Sequence, residues 1–160
     1  MPTCERCLVF PVAFETVWEF YDGVEELTVL TPDWTGMSVS HAVGPDGEPD
    51  PDGYRVGTEV HLELQPLGIG WVPESEWVVE IVEREVATDR ARFVDEQIGD
   101  RGPYDTWRHI HQFVDLGEET LVRDRIEYRV PSAGNLPLAS PLLAGMLWYR
   151  HRRTRALLAE

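Results

Sequence analysis

The sequence predicts an α+β fold, a seven-stranded curved antiparallel sheet around a long C-terminal helix, with two short helices after strand 1. Hydrophobic residues alternate with a period of two through most of residues 36–131, as in half-buried strands. Helical spacing appears only near the start, over residues 14–30, and from residue 142 onward. The apolar face of such a sheet must be covered, and the C-terminal helix is the only predicted element large enough.

Seven strands are predicted from the alternation and from the turn residues between segments. They span residues 3–10, 36–43, 55–66, 74–84, 90–98, 104–115 and 119–130. The first short helix places Phe14 and Trp18 on one face, and the second runs from Val24 to Leu30. In the C-terminal helix, the basic residues 150–155 follow an apolar stripe, and we interpret them as surface groups that complement the helix dipole.

The length and composition indicate a single domain over residues 1–160, because a chain of 160 residues with 42% hydrophobic content can bury one core. No segment reaches the roughly 18 apolar residues that a membrane span needs. The N-terminal residues also lack the order of basic and apolar groups found in signal peptides. We therefore expect a cytoplasmic protein.

The charge is strongly acidic, with 29 acidic residues, 14 basic residues and a net charge of -15. Every basic residue is Arg, and Lys is absent. Such a field repels phosphate backbones and anionic membranes, so no nucleic-acid partner is expected. Surplus acid without Lys is typical of proteins from a high-salt cytoplasm, and halophilic origin is our hypothesis.

Cysteine and nucleophile motifs give no sign of covalent or cofactor chemistry. Cys4 and Cys7 form a CxxC, but they lie on a predicted strand, where residues three apart point to opposite faces. No serine elbow and no glycine-rich phosphate loop is present. We expect no cofactor.

Polar residues are predicted on the inward faces of three strands, and a one-residue bulge would reverse this orientation for the histidines. On strand 104–115, His109 and His111 share a face with two aromatic residues, and on strand 119–130 Asp124 lies on an apolar face. On strand 90–98, Asp95 and Gln97 share a face that the 98–104 turn would bring beside the histidines.

Three interpretations of this polar group remain open. Asp95, His109, His111 and Asp124 can form an acid/base set, because a carboxylate beside a histidine fixes its tautomer and shifts its pKa. The same residues can instead satisfy one another as a structural hydrogen-bond network. A metal site is the least favoured, because the usual third and fourth ligands are not evident beside His-x-His.

A ligand cavity between the sheet and the C-terminal helix is the other expectation. Its predicted lining is mainly aromatic and aliphatic, with polar contributions from two strands. The candidate ligand-binding residues are Trp18, Leu62, Trp71, Trp77, Gln97, Trp107, Tyr128, Met146 and Tyr149. Trp71 lies on the glycine-containing segment 67–73, which is either a lid or a tight hairpin.

The segment FVDEQIGDRGPYDTWRHIHQFVDLGEETLVRDRIEYRVP at 93–131 resembles the ligand-binding members of the START-like superfamily, the SRPBCC proteins. LWYRHRRTRALL at 147–158 and YDGVEELTVLTP at 21–32 fit the same pattern. The resemblance implies a helix-grip fold with a hydrophobic pocket. The superfamily includes lipid carriers, hormone receptors and polyketide cyclases or dehydratases, so it does not fix an activity.

Three hypotheses on function follow. One of them is a module that acts through its surface, and the other two involve the cavity. The first is a non-enzymatic carrier or sensor for a small hydrophobic ligand that is lipid, polyketide or isoprenoid-like. The alternative is a cyclase or dehydratase-like enzyme. In that enzyme His109 or His111 moves a proton, and Asp95 or Asp124 orients it.

Overall fold

The computed structural model describes residues 2–65, 74–131 and 139–159, and it confirms the predicted α+β architecture. The chain order is β1 (Thr3–Phe10), α1 (Phe14–Tyr21), α2 (Glu25–Leu30), a 3-10 turn (Asp33–Thr35), β2 (Met37–Val43), β3 (Glu59–Leu64), β4 (Ser75–Val86), β5 (Arg90–Gln97), β6 (Thr106–Asp115), β7 (Thr120–Arg129) and α3 (Ala139–Leu158).

The strands form one antiparallel sheet in the order β1-β7-β6-β5-β4-β3-β2. Each neighbour along the chain is a neighbour in the sheet, apart from β1, which crosses to pair with β7. The register shifts between Val39 and His41 in β2, and between Ile81 and Glu83 in β4. Such irregularities bend strands, which fits the curvature of the sheet.

The start of β3 differs from the prediction, because residues 55–58 form a turn. Gly57 adopts a φ of 97°, a left-handed conformation that strands do not use. The backbone N–H of Arg55 donates to Oγ1 of Thr58 at 3.0 Å, which closes the turn. The strand therefore begins at Glu59.

Helices α1 and α3 pack on the buried face of the sheet and form the core with it. Val17 and Tyr21 of α1 and Leu147 of α3 are fully buried among sheet residues such as Phe113. The hydroxyl groups of Tyr21 and Thr154 share a hydrogen bond of 2.6 Å, which joins the two helices. Among the described residues, no helix combines the length and apolar character needed to cross a membrane.

Candidate ligand cavity and buried histidine cluster

A cavity of about 50 Å³ lies between the sheet and helices α2 and α3. Most of its wall is aliphatic or aromatic, and five acidic or basic side chains complete it. The described wall residues are Glu26, Leu27, Met37, Tyr54, Val60, Leu62, Trp77, Val79, Ile81, Phe93, Asp95, Trp107, His109, His111, Met146 and Arg150. Strand alternation explains the wall residues on β3, β4, β5 and β6, because residues two apart on a strand point to the same face.

Asp124 is the centre of a buried histidine cluster beside this cavity, with a relative exposure of 1%. Nε2 of His109 lies 2.8 Å from Oδ1 of Asp124, and Nε2 of His151 lies 2.5 Å from Oδ2. Nδ1 of His111 is 3.1 Å from Oδ1 without forming a hydrogen bond. Because His151 belongs to α3, this carboxylate ties the C-terminal helix to the sheet.

Asp95 is the second carboxylate of the cluster. Its Oδ1 accepts a hydrogen bond from Nε1 of Trp107 at 3.0 Å, and its Oδ2 lies 2.9 Å from Nε2 of His111. His111 therefore lies between the two carboxylates. Its ring stacks on Phe93 at a centroid distance of 4.1 Å and lies 3.7 Å from the ring of His109.

Burial and charge act on these groups in opposite directions. Burial alone would raise the carboxyl pKa values, but the histidines outweigh it, so the pKa of Asp124 lies well below its usual range and that of Asp95 is also lowered. Burial would lower the pKa of His111, yet the two carboxylates beside its ring, Asp124 at Nδ1 and Asp95 at Nε2, outweigh burial and raise it to about 9. Burial and the charge of His111 lower the pKa of His109. At neutral pH the two carboxylates are ionised, His111 is a cation and His109 is neutral.

The tautomer of His109 follows from this charge state. An ionised carboxylate can only accept, so His109 donates from Nε2 to Asp124 and its Nδ1 carries no proton. This Nδ1 forms no hydrogen bond with any described residue, and it lies 3.9 Å from Oδ2 of Asp95. The wall of the cavity thus contains an unprotonated ring nitrogen held in a fixed orientation.

A second buried pair, Glu26 and Arg150, joins α2 to α3 across the cavity wall. Nη2 of Arg150 donates to Oε2 of Glu26 at 3.2 Å, and both residues are less than 5% exposed. Burial raises the pKa of Glu26 to about 7, with Arg150 opposing the shift. Nε of Arg150 and Nε1 of Trp77 are buried without a hydrogen-bond partner among the described residues.

The interpretation of residues 150–155 as surface groups was wrong for two of them. Arg150 is 4% exposed and His151 is fully buried. Leu147, Arg150, His151 and Thr154 follow one another at steps of three or four residues, so they occupy one face of α3, and that face is turned to the sheet. The spacing was visible in the sequence, but a basic cluster is usually solvated.

The candidate site residues fall into two groups. Leu62, Trp77, Trp107 and Met146 contribute to the described wall together with Asp95, His109 and His111, and Asp124 lies behind the histidines. Trp18, Gln97, Tyr128 and Tyr149 do not belong to this wall. Trp71 and the segment 67–73 lie outside the described residues.

The positions of two of the remaining candidates have clear structural causes. Trp18 packs against Phe113 at a ring centroid distance of 5.5 Å, and the guanidinium of Arg84 covers it at 5.3 Å. The amide of Gln97 donates to the backbone carbonyl groups of Gly99 and Tyr104, so it closes the turn after β5. Sequence reasoning missed Glu26 and Tyr54 as wall residues, because neither lies in a periodic polar pattern.

No protein-family model and no curated protein matches the sequence. Solved structures do match. A nucleoside-diphosphate sugar epimerase from Corynebacterium glutamicum is 19% identical with a TM-score of 0.64, over 98% of this chain and only 28% of its own length. Norcoclaurine synthase from Thalictrum flavum, in complex with dopamine and hydroxybenzaldehyde, is 16% identical with a TM-score of 0.62, over 99% of this chain and 86% of its own.

A START superfamily protein from Mycobacterium smegmatis is 12% identical with a TM-score of 0.62, and the match covers 98% of this chain and 97% of that protein. At these identities the similarity concerns the fold. The resemblance found in the sequence is thereby confirmed at the level of the helix-grip architecture.

Proposed function

We propose that this chain, which has the helix-grip fold of START-like proteins, binds a small, largely apolar molecule in its cavity and acts as a carrier or sensor. The wall of the cavity is the observation that supports this most directly. It combines aliphatic and aromatic side chains with a few fixed polar groups, which is the usual composition of a small-molecule site.

The cavity volume limits the size of the ligand. A volume of about 50 Å³ has room for a few water-sized groups, since one water needs roughly 10–15 Å³ measured in this way. Pockets for drug-sized ligands usually reach about 300–1,000 Å³. A compact molecule is therefore favoured, and a lipid, polyketide or isoprenoid requires the wall to move. Met37 and Met146 are the wall residues best suited to such movement, because unbranched thioethers repack easily.

The polar groups of the wall favour a ligand with at least one oxygen or nitrogen atom. Nε of Arg150 and Nε1 of Trp77 are donors without a described partner, and Nδ1 of His109 is an acceptor without one. Leaving such groups unpaired costs about 1–3 kcal/mol each. The aromatic ligands of norcoclaurine synthase, dopamine and hydroxybenzaldehyde, have this combination of apolar ring and polar substituents. We favour a compact aromatic or alicyclic molecule with polar substituents.

The alternative is a cyclase or dehydratase-like enzyme, and one observation favours it. Nδ1 of His109 is unprotonated, lies in the cavity wall and is oriented by Asp124 through Nε2. That arrangement suits a general base, which needs a fixed tautomer and access to the substrate. His111 is less suited, because both its nitrogen atoms face carboxylates.

Native mass spectrometry of the protein purified in high salt is the first test, because a retained ligand should appear as a defined mass increment. Hydroxybenzaldehyde, used as a compact aromatic probe in isothermal titration calorimetry, then tests the location. Met146→Trp fills the cavity and should weaken probe binding about tenfold or more, equivalent to roughly 1.4 kcal/mol. Leu142→Trp is the matched control, because Leu142 lies one turn earlier on α3 and is 52% exposed.

Three outcomes are informative. Equal probe binding by the Met146→Trp and Leu142→Trp variants would contradict the proposed cavity, as would a protein that retains no molecule and binds no probe. If a substrate is found, His109→Gln should abolish turnover under the enzyme alternative and weaken probe binding much less than Met146→Trp does. Unchanged turnover in that variant would remove the alternative.

A further inference from the structure

We propose that Asp95, His109 and His111 form a binding site for a divalent transition metal, with Zn²⁺ the expected ion, which opens into the cavity. One donor atom from each residue lies within 4.8 Å of the other two, and all three residues are buried and line the cavity. In the sequence a metal is the least favoured interpretation, because the usual third and fourth ligands are not evident. The register of β5 and β6 supplies the third, since Asp95 pairs with His109.

The distances suit a zinc ion of tetrahedral geometry. Oδ2 of Asp95 is 2.9 Å from Nε2 of His111 and 3.9 Å from Nδ1 of His109. Ligand bonds of about 2.0–2.1 Å place the donor atoms of a tetrahedral site roughly 3.3 Å apart. The separations of Oδ2 from the two histidine nitrogen atoms would therefore change by about half an ångström each to accommodate the ion.

The surroundings of the three ligands are those of a metal site. Ligating histidines usually direct their other ring nitrogen to a carboxylate, and ligating carboxylates are themselves hydrogen-bonded. Here Nε2 of His109 and Nδ1 of His111 lie 2.8 and 3.1 Å from the same oxygen of Asp124. Oδ1 of Asp95 is held by Trp107, which leaves Oδ2 directed to the histidines.

The charges of the cluster also fit a divalent cation. Asp95 and Asp124 place two carboxylates in a buried region, and such charges require compensation. Nδ1 of His109 lies 3.9 Å from Oδ2 of Asp95, and no hydrogen bond joins these two atoms. A divalent ion would replace the proton between Nε2 of His111 and Oδ2 of Asp95, which is released to solvent, and would balance the two carboxylates.

The protein supplies three ligands, and the fourth position would face the cavity. Three ligands with an open position are typical of zinc sites that bind a water or a substrate atom. The polar atom of a ligand in the cavity could then coordinate the ion directly. This inference goes beyond cavity binding, and it excludes a role for Nδ1 of His109 as a base, since a coordinated nitrogen cannot accept a proton.

Cobalt titration of protein treated with EDTA tests the site, because Co²⁺ substitutes for Zn²⁺ and its visible absorption reports coordination number. The exposed His41 and the partly buried His61, whose rings stack at 4.3 Å, are a potential second binder. All proteins should therefore carry His41→Gln and His61→Gln. We expect one Co²⁺ per chain with the intense bands of four-coordinate cobalt, and displacement of Co²⁺ by Zn²⁺.

Asp95→Asn removes a ligand but keeps an acceptor for Trp107, so it should weaken Co²⁺ binding by about 100-fold or more. Trp107→Phe removes only the group that orients the carboxylate, and we expect about a tenfold loss. Melting temperatures of the metal-free proteins check that both variants fold. If Asp95→Asn does not fold, the Co²⁺ affinity of the Trp107→Phe variant tests the proposal instead.

The absence of four-coordinate bands would overturn the metal proposal, as would unchanged affinity in a folded Asp95→Asn variant or, failing that, in Trp107→Phe. Binding of hydroxybenzaldehyde to the metal-free protein is a separate measurement. Failure of the cavity proposal and failure of the metal proposal are therefore distinguishable.

Discussion

The two faces of strands β6 and β7 use the same kinds of charged side chain in opposite environments. On the inner face, Asp124 and its histidine partners are at most 5% exposed, and their charged contacts are with one another and with the buried Asp95. On the outer face, Arg123 pairs with Glu5 through two hydrogen bonds of 2.9 Å, and more than a third of each side chain is exposed. Arg123 and Asp124 are consecutive residues that strand geometry points to opposite sides.

The difference shows how strongly burial decides the value of an ion pair. Outer pairs are screened by water, and each contributes about 0–1 kcal/mol to stability. Inner groups lose hydration, so a partner that is removed leaves a buried charge uncompensated, at a cost of about 3–5 kcal/mol. We therefore expect the inner face to determine stability and chemistry, and the outer face to affect mainly solubility and salt response.

The largest effect should come from Asp124→Asn, which keeps the shape of the side chain and removes its charge. His109 and His151 lose their charged acceptor, and the cation His111 keeps only Asp95. We expect the free energy of unfolding to fall by about 3–5 kcal/mol. Urea denaturation at pH 7 followed by tryptophan fluorescence would measure it.

Arg123→Gln is the matched control, since it changes the preceding residue on the outer face. It should cost less than about 1 kcal/mol. Equal losses in the two variants would show that the faces do not differ in the way that burial indicates.

A pH-dependent effect of intermediate size is expected from Glu26. Its pKa is raised from 4.5 to about 7, so between these values the folded state binds more protons than the unfolded state. Stability should therefore fall as pH rises through this window, by up to roughly 3 kcal/mol. Glu26→Gln, which cannot titrate, should lack this component.

The comparison must use the difference between wild type and Glu26→Gln at pH 5, 6 and 7.5, because other groups also titrate. The lowered pKa of His109 makes stability rise with pH, which is the opposite direction. A constant difference between the two proteins across this range would show that Glu26 is already ionised at pH 5 and that Arg150 outweighs burial.

Much of the inner face could be predicted, because strand alternation is local. The period of two assigned His109, His111 and Asp124 to the buried side, and each lies there. The hairpin between β5 and β6 also places Asp95 beside His109, as predicted from the turn at 98–104. Short sequence separation made both inferences possible, since neighbouring strands in a meander pair in only a few registers.

Contacts between distant elements could not be predicted in the same way. The contact of His151 with Asp124 joins residues 27 apart, and that of Arg150 with Glu26 joins residues 124 apart. Both depend on how α3 rotates and shifts over the sheet, which the helical period does not fix. The cavity volume depends on the same packing, so sequence could indicate a cavity without giving its size.

The smallest effect is expected from Glu5→Gln on the outer face, and it tests the other side of the comparison. Arg123 and Arg125 lower the pKa of Glu5, so the pair stabilises the fold above pH 4.5 and the contribution is lost as pH falls. The chain carries a net charge of -15, and removal of one carboxylate also relieves repulsion. We expect the two effects to oppose each other and leave a change below about 1 kcal/mol at pH 7.

Because salt screens both, the change measured by urea denaturation should shrink further in 1 M NaCl, where the Debye length is about 3 Å. A loss that persists undiminished in high salt would mean that this pair is as shielded from solvent as the histidine cluster on the opposite face.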